Sequence, residues 1–331
     1  MQTKDLVLEV RNLHTFFKLD EGMLKAVNDV SFTLNRNSTL GIVGESGCGK
    51  SVTAQSILRI VPPPGKVSGD IILHRDQEIL NLTELPVNSE TLRNIRGNEI
   101  AMVFQEPMTA FSPIHSIGEQ IMEVIQVHEN VPKENARNRS LEMLRRVGIS
   151  NPAQRMDEYA NQLSGGMRQR AMIAMALILK PRVLIADEPT TALDVTIQAQ
   201  ILRLMKDLQA EMGMSIIFIT HNLGVVANMA NDVAVMYLGR VVESGSVFQV
   251  FQNPLHPYTQ ALMRSIPKVG RKSRERLMVI SGNVPVPINP PETCPFAPRC
   301  GLFIKGRCDA RVPDLIEAQP GHQVRCVLYE N

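Results

Sequence analysis

Eight residues near the start of the chain combine glycines with one lysine and one serine. The stretch GESGCGKS, at 44–51, has the pattern G-x-x-x-x-G-K-[ST]. Its glycines let backbone N–H groups surround phosphate oxygens, Lys50 brings charge to β- and γ-phosphates, and the Ser51 hydroxyl can bind Mg²⁺. The sequence therefore predicts a phosphate-binding loop, in which Cys48 is a small residue at a variable position. The predicted nucleotide contacts are Gly44, Glu45, Ser46, Gly47, Cys48, Gly49, Lys50, Ser51 and Val52.

Two adjacent carboxylates follow a short apolar run further along the chain. In VLIADE, at 183–188, four apolar residues predict a buried strand that presents Asp187 and Glu188 at its carboxyl end. Asp187 suits the holding of Mg²⁺ through a water molecule, and Glu188 suits the polarisation of an attacking water. Phosphoryl transfer needs this positioning and charge neutralisation more than it needs covalent chemistry.

These groups require strands and helices that hold them in place. The loop at 44–51 follows the apolar run TLGIVG and opens a helical stretch, which is the start of a βα unit. Helical periodicity recurs at 117–147, 165–180 and 196–212. The other predicted strands are LVLEV (6–10), IAMVF (100–104), SIIFIT (215–220) and a hairpin, VAVMYLGRVVESG (233–245), that turns at Gly239.

The composition limits the class of protein. The chain has 331 residues, 44% of them hydrophobic, and a net charge of +2 from 35 basic and 33 acidic residues. This balance argues against a dedicated nucleic-acid binder. We find no secretory signal and no apolar run of the roughly 18 residues that a membrane span needs. We expect a cytoplasmic protein of about two domains, in which clustered cysteines are more often metal ligands than disulfides.

A third motif identifies the class. LSGGMRQR, at 163–170, precedes the carboxylates, and with the phosphate loop it resembles the signature of the ATP-binding-cassette ATPases, with methionine in its fifth position. The resemblance covers about residues 5–250. It implies an α/β P-loop fold with an antiparallel β subdomain and a helical subdomain at about 106–175, within a nucleotide-binding domain at 1–253. The further positions that match the family are Gln105 (Q-loop), Ala192, Leu193 and Asp194 (D-loop), His221 (switch histidine) and Phe17, or Phe16, for stacking on adenine.

The resemblance also implies how these residues act. Two cassettes sandwich two ATP molecules, and the signature residues Leu163, Ser164, Gly165, Gly166 and Met167 close on the γ-phosphate that the partner holds. Ser164 and the glycines open a helix, so this end too can bind an anion. The implied catalytic residues are Lys50, Gln105, Glu188 and His221. The implied Mg²⁺ ligands are Ser51, Gln105 and Asp187.

The region at 254–331 narrows the resemblance. NPLHPYTQALMRSIP, with His256-Pro257-Tyr258, looks like the C-terminal extension of ATPases that serve dipeptide and oligopeptide importers. The methionine at the fifth position of the signature resembles the residue that the D-type subunit of such systems has there. This implies a heterodimer with the F-type ATPase subunit, which is the second ATP-binding chain of such importers. It also implies two membrane permeases, an extracellular binding protein and a place on the cytoplasmic face of the membrane. Nickel, opines and oligosaccharides are alternative cargoes.

Four of the five cysteines lie in this extension. Cys294, Cys300, Cys308 and Cys326 have the spacing C-x5-C-x7-C-x17-C. Structural zinc favours four thiolates but commonly uses C-x₂₋₄-C pairs, whereas a [4Fe–4S] cluster tolerates irregular spacing. The resembled D-type subunits include ones with such a cluster. We therefore predict [4Fe–4S], with Zn²⁺ or four buried small residues as alternatives.

Two other classes of function remain as alternatives. Some cassette ATPases are soluble and act in DNA repair or on ribosomes, but they typically carry two cassettes or a coiled-coil insertion. This chain has one cassette and no heptad run. A non-catalytic scaffold is the other alternative, and it predicts no loss of turnover on Glu188→Gln.

Overall fold

A computed structural model describes residues 6–191, 193–265, 280, 282 and 284–330. Its secondary structure is that of an α/β protein. The strands are β1 (Leu6–Leu19), β2 (Gly22–Asn35), β3 (Thr39–Val43), β4 (Gly65–His74), β5 (Ile79–Asn81), β6 (Ile100–Val103), β7 (Val183–Asp187), β8 (Ser215–Thr220), β9 (Asp232–Tyr237), β10 (Arg240–Ser246), β11 (Ile316–Gln319) and β12 (His322–Val324). The helices are α1 (Lys50–Ile57), α2 (Glu90–Ile95), α3 (Pro107–Ala110), α4 (Ile117–His128), α5 (Lys133–Arg146), α6 (Pro152–Arg155), α7 (Gly165–Leu177), α8 (Val195–Met212), α9 (Leu223–Met229), α10 (Val247–Gln252) and α11 (Pro257–Ser265).

The chain forms two compact units, which interleave along the sequence. The helical unit consists mainly of Leu85–Ile217 with Asn35–Ser38. The phosphate-loop unit consists of Leu8–Leu34, Thr39–Glu84 and the chain from Phe218 onward. The chain passes for the last time from the helical unit to the phosphate-loop unit within β8, between Ile217 and Phe218. No helix within the described ranges is long and apolar enough to span a membrane.

Two groups of strands build the phosphate-loop unit. One is a sheet in the order β2-β1-β4-β5, in which β4 runs antiparallel to both β1 and β5. The other runs β11-β12-β10-β9-β3, with β3 parallel to β9 and the remaining pairs antiparallel. Every residue of β3 is buried, as expected for a parallel strand covered on both faces. This strand ends directly before the phosphate loop.

The C-terminal extension shares its core with this unit. Tyr258 and Phe296 pack with Tyr237 of β9, with ring centroids 4.7–5.4 Å apart. Val43 of β3 belongs to the same buried cluster. The extension is thus built onto the strand that leads into the phosphate loop. The predicted domain boundary at residue 253 stays a prediction.

In the helical unit, β6 runs parallel to β7. Helices α3 to α6 fall within the region predicted as the helical subdomain, at about 106–175, and α7 begins there and ends two residues beyond it. The single helical region expected at 117–147 is two helices, because α4 ends at His128 and α5 begins at Lys133. Pro132 is the N-cap of α5, and the residue before a proline is disfavoured in a helix. The Ser116 capping box fixes the start of α4.

Candidate functional site

The phosphate loop connects β3 to α1 through strongly constrained glycines. Gly47 and Gly49 have φ values of 80° and 100°, a region that favours glycine. A Cβ on Gly49 would lie 2.2 Å from the carbonyl oxygen of Ala26. The backbone therefore passes so close to β2 that a side chain at this position would force the loop to move.

Lys50 is folded back onto the loop that precedes it. Lys50 is 5% exposed, and its ammonium group donates to the carbonyl oxygens of Gly44 and Glu45 at 2.9 and 3.1 Å. Cys48 is fully buried, and burial raises the pKa of its thiol. This suits the interpretation of Cys48 as a packing residue. Ser51 and Val52 are half-buried at the start of α1.

The predicted adenine contact lies on β1. Thr15 and Ser56 of α1 form a hydrogen bond of 2.6 Å between their hydroxyls, so this face of β1 packs on the helix that the loop opens. Phe17 lies two residues on and shares that face. Phe16 lies on the other face, where the Lys25 ammonium is 5.9 Å from its ring centroid. This favours Phe17, and its role stays a prediction.

The switch histidine is the first residue after β8. His221 is exposed and precedes Asn222, whose side chain caps α9 by accepting from the N–H groups of Gly224 and Val225. The cap fixes the backbone at the residue after His221.

In the helical unit, Glu188 and Gln105 lie together at the carboxyl ends of β7 and β6. The Gln105 amide donates to the Glu188 carboxylate at 3.3 Å, and the Thr191 hydroxyl donates to the same oxygen at 2.8 Å. Glu188 has a φ of 45°, a left-handed backbone conformation that residues other than glycine rarely adopt. Asp187 is 3% and Glu188 8% exposed. Sequence reasoning found three of these residues and missed Thr191, because a threonine in a loop carries no signal of its own.

The signature and D-loop residues also lie together in the helical unit. Ser164 is the N-cap of α7, and Asp194 is the N-cap of α8, accepting from the Ile197 N–H at 2.9 Å. A Cβ on Gly166 would lie 3.0 Å from the Ile197 side chain. The two helix starts are therefore in close contact. Ala192, the first predicted D-loop residue, lies outside the described residues.

The four cysteines of the extension line one small cavity, of about 10 Å³. Two backbone N–H groups point at their sulfurs, from Leu302 to Cys300 at 3.4 Å and from Ile304 to Cys308 at 3.3 Å. Burial raises the pKa of the Cys326 thiol to about 11. The remaining lining residues are His256, Pro257, Phe296, Leu302, Val327 and Leu328.

A metal in this cavity is not confirmed. Within the part of the chain that the structure describes, no three His, Cys, Asp or Glu side chains are placed to hold one metal ion. The donor types alone suit a thiolate-bound group, because all four cysteines line the cavity and the sulfurs of Cys300 and Cys308 accept backbone N–H groups. The predicted cluster and its zinc alternative both remain predictions.

The residues His256 and Tyr258 have structural roles that their sequence motif did not disclose. The buried Glu243 carboxylate accepts from the N–H groups of Leu255 and His256 and from the His322 ring, each at 2.8 Å. His256 is itself buried, which lowers its pKa to about 3. The Tyr258 hydroxyl accepts from the Glu45 N–H at 2.9 Å. The motif therefore fastens the extension to the phosphate loop.

Comparison with known proteins agrees with this arrangement. Residues 27–191 match the ABC transporter family, and residues 242–308 match the oligopeptide/dipeptide transporter C-terminal region. The oligopeptide transport ATP-binding protein AppD of Bacillus subtilis is 48% identical, over 98% of this chain and 97% of that protein. The OppD protein of the same organism is 49% identical, over 97% of this chain and 88% of its own.

Solved structures support the fold. A dimeric ATP-binding cassette in a post-hydrolysis state, bound to ADP and Pi, matches 72% of this chain and 98% of its own with a TM-score of 0.63 at 26% identity. The predicted α/β P-loop cassette fold is thus confirmed. With relatives this similar over nearly the whole chain, the protein belongs to the ATP-binding subunits of peptide-transporting ABC systems, and its enzymatic class is that of the ABC ATPases.

Proposed function

We propose that this chain is the subunit that hydrolyses ATP to power peptide import through a membrane ABC transporter. The observation that carries the proposal is the order of the two family matches along one chain. A cassette at 27–191 is followed by a peptide-transporter C-terminal region at 242–308. The buried packing of Tyr258 and Phe296 on Tyr237 supports a single working subunit.

The loop at 44–51 binds the phosphates of ATP in this proposal. Glycines with positive φ turn the backbone, and the N-terminus of α1 adds a favourable dipole. Lys50 exchanges its bonds to the carbonyls of Gly44 and Glu45 for the β- and γ-phosphates. Mg²⁺ would neutralise part of the phosphate charge, and the Ser51 hydroxyl would be one of its ligands.

Glu188 acts as the base toward the attacking water. The water oxygen bonds to the γ-phosphorus, the bond to the bridging oxygen of ADP breaks, and the Glu188 carboxylate accepts the proton of the water. Thr191 and Gln105 hold one carboxylate oxygen, which orients the side chain. His221 supports the γ-phosphate.

The signature acts on a partner cassette. The residues Leu163 to Met167 close on the γ-phosphate that the F-type ATP-binding subunit of the importer holds, so that ATP joins two different ATPase chains. Leu193 and Asp194 contact the same partner. The exposure of Ser164 and Gly165 supports this, since both remain accessible to another molecule. The pair docks on two permeases at the cytoplasmic face of the membrane, and a solute-binding protein delivers the cargo.

In our proposal, the four cysteines of the extension hold a [4Fe–4S] cluster. Cys294, Cys300, Cys308 and Cys326 are the ligands, and the cluster supplies a covalent anchor for a proline-rich segment. Iron and sulfide analysis of anaerobically purified protein tests this, with Cys308→Ser losing iron and Cys48→Ser keeping it as the matched control. A colourless protein with stoichiometric zinc would favour the alternative metal, and a metal-free protein would favour buried thiols.

The transport function is tested with the assembled complex. The chain, the F-type ATP-binding subunit and the permeases are reconstituted in vesicles. We expect the ATPase rate to rise when peptide-loaded binding protein is added. Nickel, an opine or an oligosaccharide in place of the peptide tests the other cargoes. Stimulation by DNA or ribosomes, with none by permeases, would contradict the proposal.

A further inference from the structure

Glu45 places a carboxylate in a loop that must bind an anion. An uncompensated negative charge there opposes the binding of phosphates. The structure pairs this carboxylate with Arg299 of the C-terminal extension. The guanidinium donates two parallel hydrogen bonds to the two carboxylate oxygens, at 2.8 and 3.1 Å. Such a bidentate pair neutralises the charge and also fixes geometry.

Arg299 is held in place before any nucleotide arrives. Its side chain is 7% exposed and donates to the Tyr237 hydroxyl at 3.4 Å and to the Gly282 carbonyl at 3.0 Å. The guanidinium carbon also lies 5.8 Å from the centroid of the Tyr237 ring. The guanidinium is thus a fixed anchor for the loop.

The anchor stands in the cysteine segment. Arg299 ends a 3-10 turn, Ala297–Arg299, and directly precedes Cys300. The turn is hydrogen-bonded to Cys294 and Cys300. The Ala297 N–H donates to the Cys294 carbonyl at 3.0 Å, and the Cys300 N–H donates to the Ala297 carbonyl at 3.3 Å. Whatever fixes these cysteines therefore fixes Arg299.

The other end of this chain of contacts is Lys50. The Glu45 carbonyl accepts from the Lys50 ammonium at 3.1 Å, and the Glu45 N–H donates to Tyr258. The backbone of Glu45 is therefore set from the extension on one side and contacts the phosphate-binding lysine on the other.

We propose that Arg299 is a positioning residue of the ATP site, through which the cysteine segment of the extension sets the affinity of the phosphate loop for nucleotide. The inference rests on the proposed binding of ATP by this loop. It assigns to the extension a part in nucleotide binding, in addition to a structural one.

The test is equilibrium binding of the ATP analogue AMP-PNP with Mg²⁺ to the full chain by calorimetry. We expect Arg299→Ala to raise the Kd about tenfold, because it leaves the Glu45 carboxylate unpaired. Adding Glu45→Gln to that variant should recover most of the loss. Arg311→Ala, which breaks an ion pair with Glu330 in the same extension, is the matched control and should bind as the wild type does.

A second arm tests the link to the cysteines. Cys300→Ser should also raise the Kd, and it should add nothing in the Arg299→Ala background, since both changes act through one contact. The inference is overturned if Arg299→Ala or Cys300→Ser binds as the wild type, or if their effects multiply. If a variant fails to fold, the Glu45→Gln single variant tests the charge: because it removes the carboxylate that opposes phosphate binding, it should bind AMP-PNP at least as tightly as the wild type, and weaker binding would overturn the inference. Wild-type protein that binds no nucleotide would instead contradict the proposed function.

Discussion

Two helices of this protein begin at glycine-rich turns, and they are built differently. The start of α1 is enclosed, with Lys50 buried and Gly49 in a left-handed conformation at its N-cap. The start of α7 is open, with Ser164 and Gly165 exposed and the Ser164 hydroxyl accepting from the Met167 N–H. The first is a site prepared within the chain. The second has the features of half a site, which another molecule completes.

This difference gives each helix start its own test. Changes at the α1 loop should alter the affinity for nucleotide in the isolated chain. Changes at the start of α7 should alter only steps that need a second cassette. Changes at Glu188, at the end of β7, should alter the rate of hydrolysis without altering the affinity for nucleotide or the pairing with a second cassette.

The largest expected effect is at Glu188. We expect Glu188→Gln to lower turnover about 1,000-fold while nucleotide still binds, because the amide cannot accept the proton of the water. Steady-state phosphate release in the assembled transporter measures this. Glu123→Gln on α4, an exposed acid, is the control. Normal turnover of Glu188→Gln would favour the scaffold alternative.

The next effect is at Gly49. A Cβ there would lie 2.2 Å from the Ala26 carbonyl oxygen, and the φ of 100° is unfavourable for alanine. We expect Gly49→Ala to lower turnover about 100-fold, because the loop must shift away from its working geometry. Gly301→Ala, where a Cβ meets no atom within 4 Å, should leave turnover intact. Equal rates for the two variants would show that the loop is less constrained than its contacts indicate.

A smaller effect is expected at the signature. Ser164→Ala should lower turnover about tenfold by removing a hydrogen bond to the phosphate held by the partner. Ser116→Ala removes an equivalent cap from α4 and should cost about 1 kcal/mol of stability without a matching loss of turnover. A similar loss of turnover in both variants would mean that Ser164 acts only as a cap.

The smallest expected effect is a loss of stability in acid, through His256 of the extension. Burial lowers the pKa of His256 to about 3, so the folded chain keeps this imidazole neutral where the unfolded chain takes up a proton, below about pH 6.5. Acid therefore favours the unfolded state, and between pH 7 and 5.5 the free energy of unfolding should fall by about 1 kcal/mol from this group. Denaturant unfolding of the wild type and His256→Asn at both pH values measures it. An identical pH dependence in the two proteins would contradict this assignment.

Much of the fold could be predicted from the sequence, because apolar runs and glycine breaks are local signals. The strand at 183–187 and the strand at 215–220 have the predicted bounds, and the hairpin turns at Leu238 and Gly239, which both have positive φ. Strand β2 was not predicted. Its residues carry mixed polarity, with burial that depends on pairing in the sheet.

The candidate site was predicted where a motif names a residue and missed where a contact is long-range. The phosphate loop, Glu188 and Gln105 follow from motifs. The pair of Glu45 and Arg299 joins residues 254 positions apart, and neither residue stands out alone. The Glu243 carboxylate, fully buried among hydrogen-bond donors, is likewise visible only in the folded chain.

The most direct measurement of the central claim is a calorimetric titration of AMP-PNP with Mg²⁺ into the isolated wild-type chain, Lys50→Ala and Ser164→Ala. The account predicts that the wild type binds, that Lys50→Ala weakens binding by about tenfold or more, and that Ser164→Ala binds as the wild type does. Unaltered binding by Lys50→Ala, or an equal loss in Ser164→Ala, would contradict it.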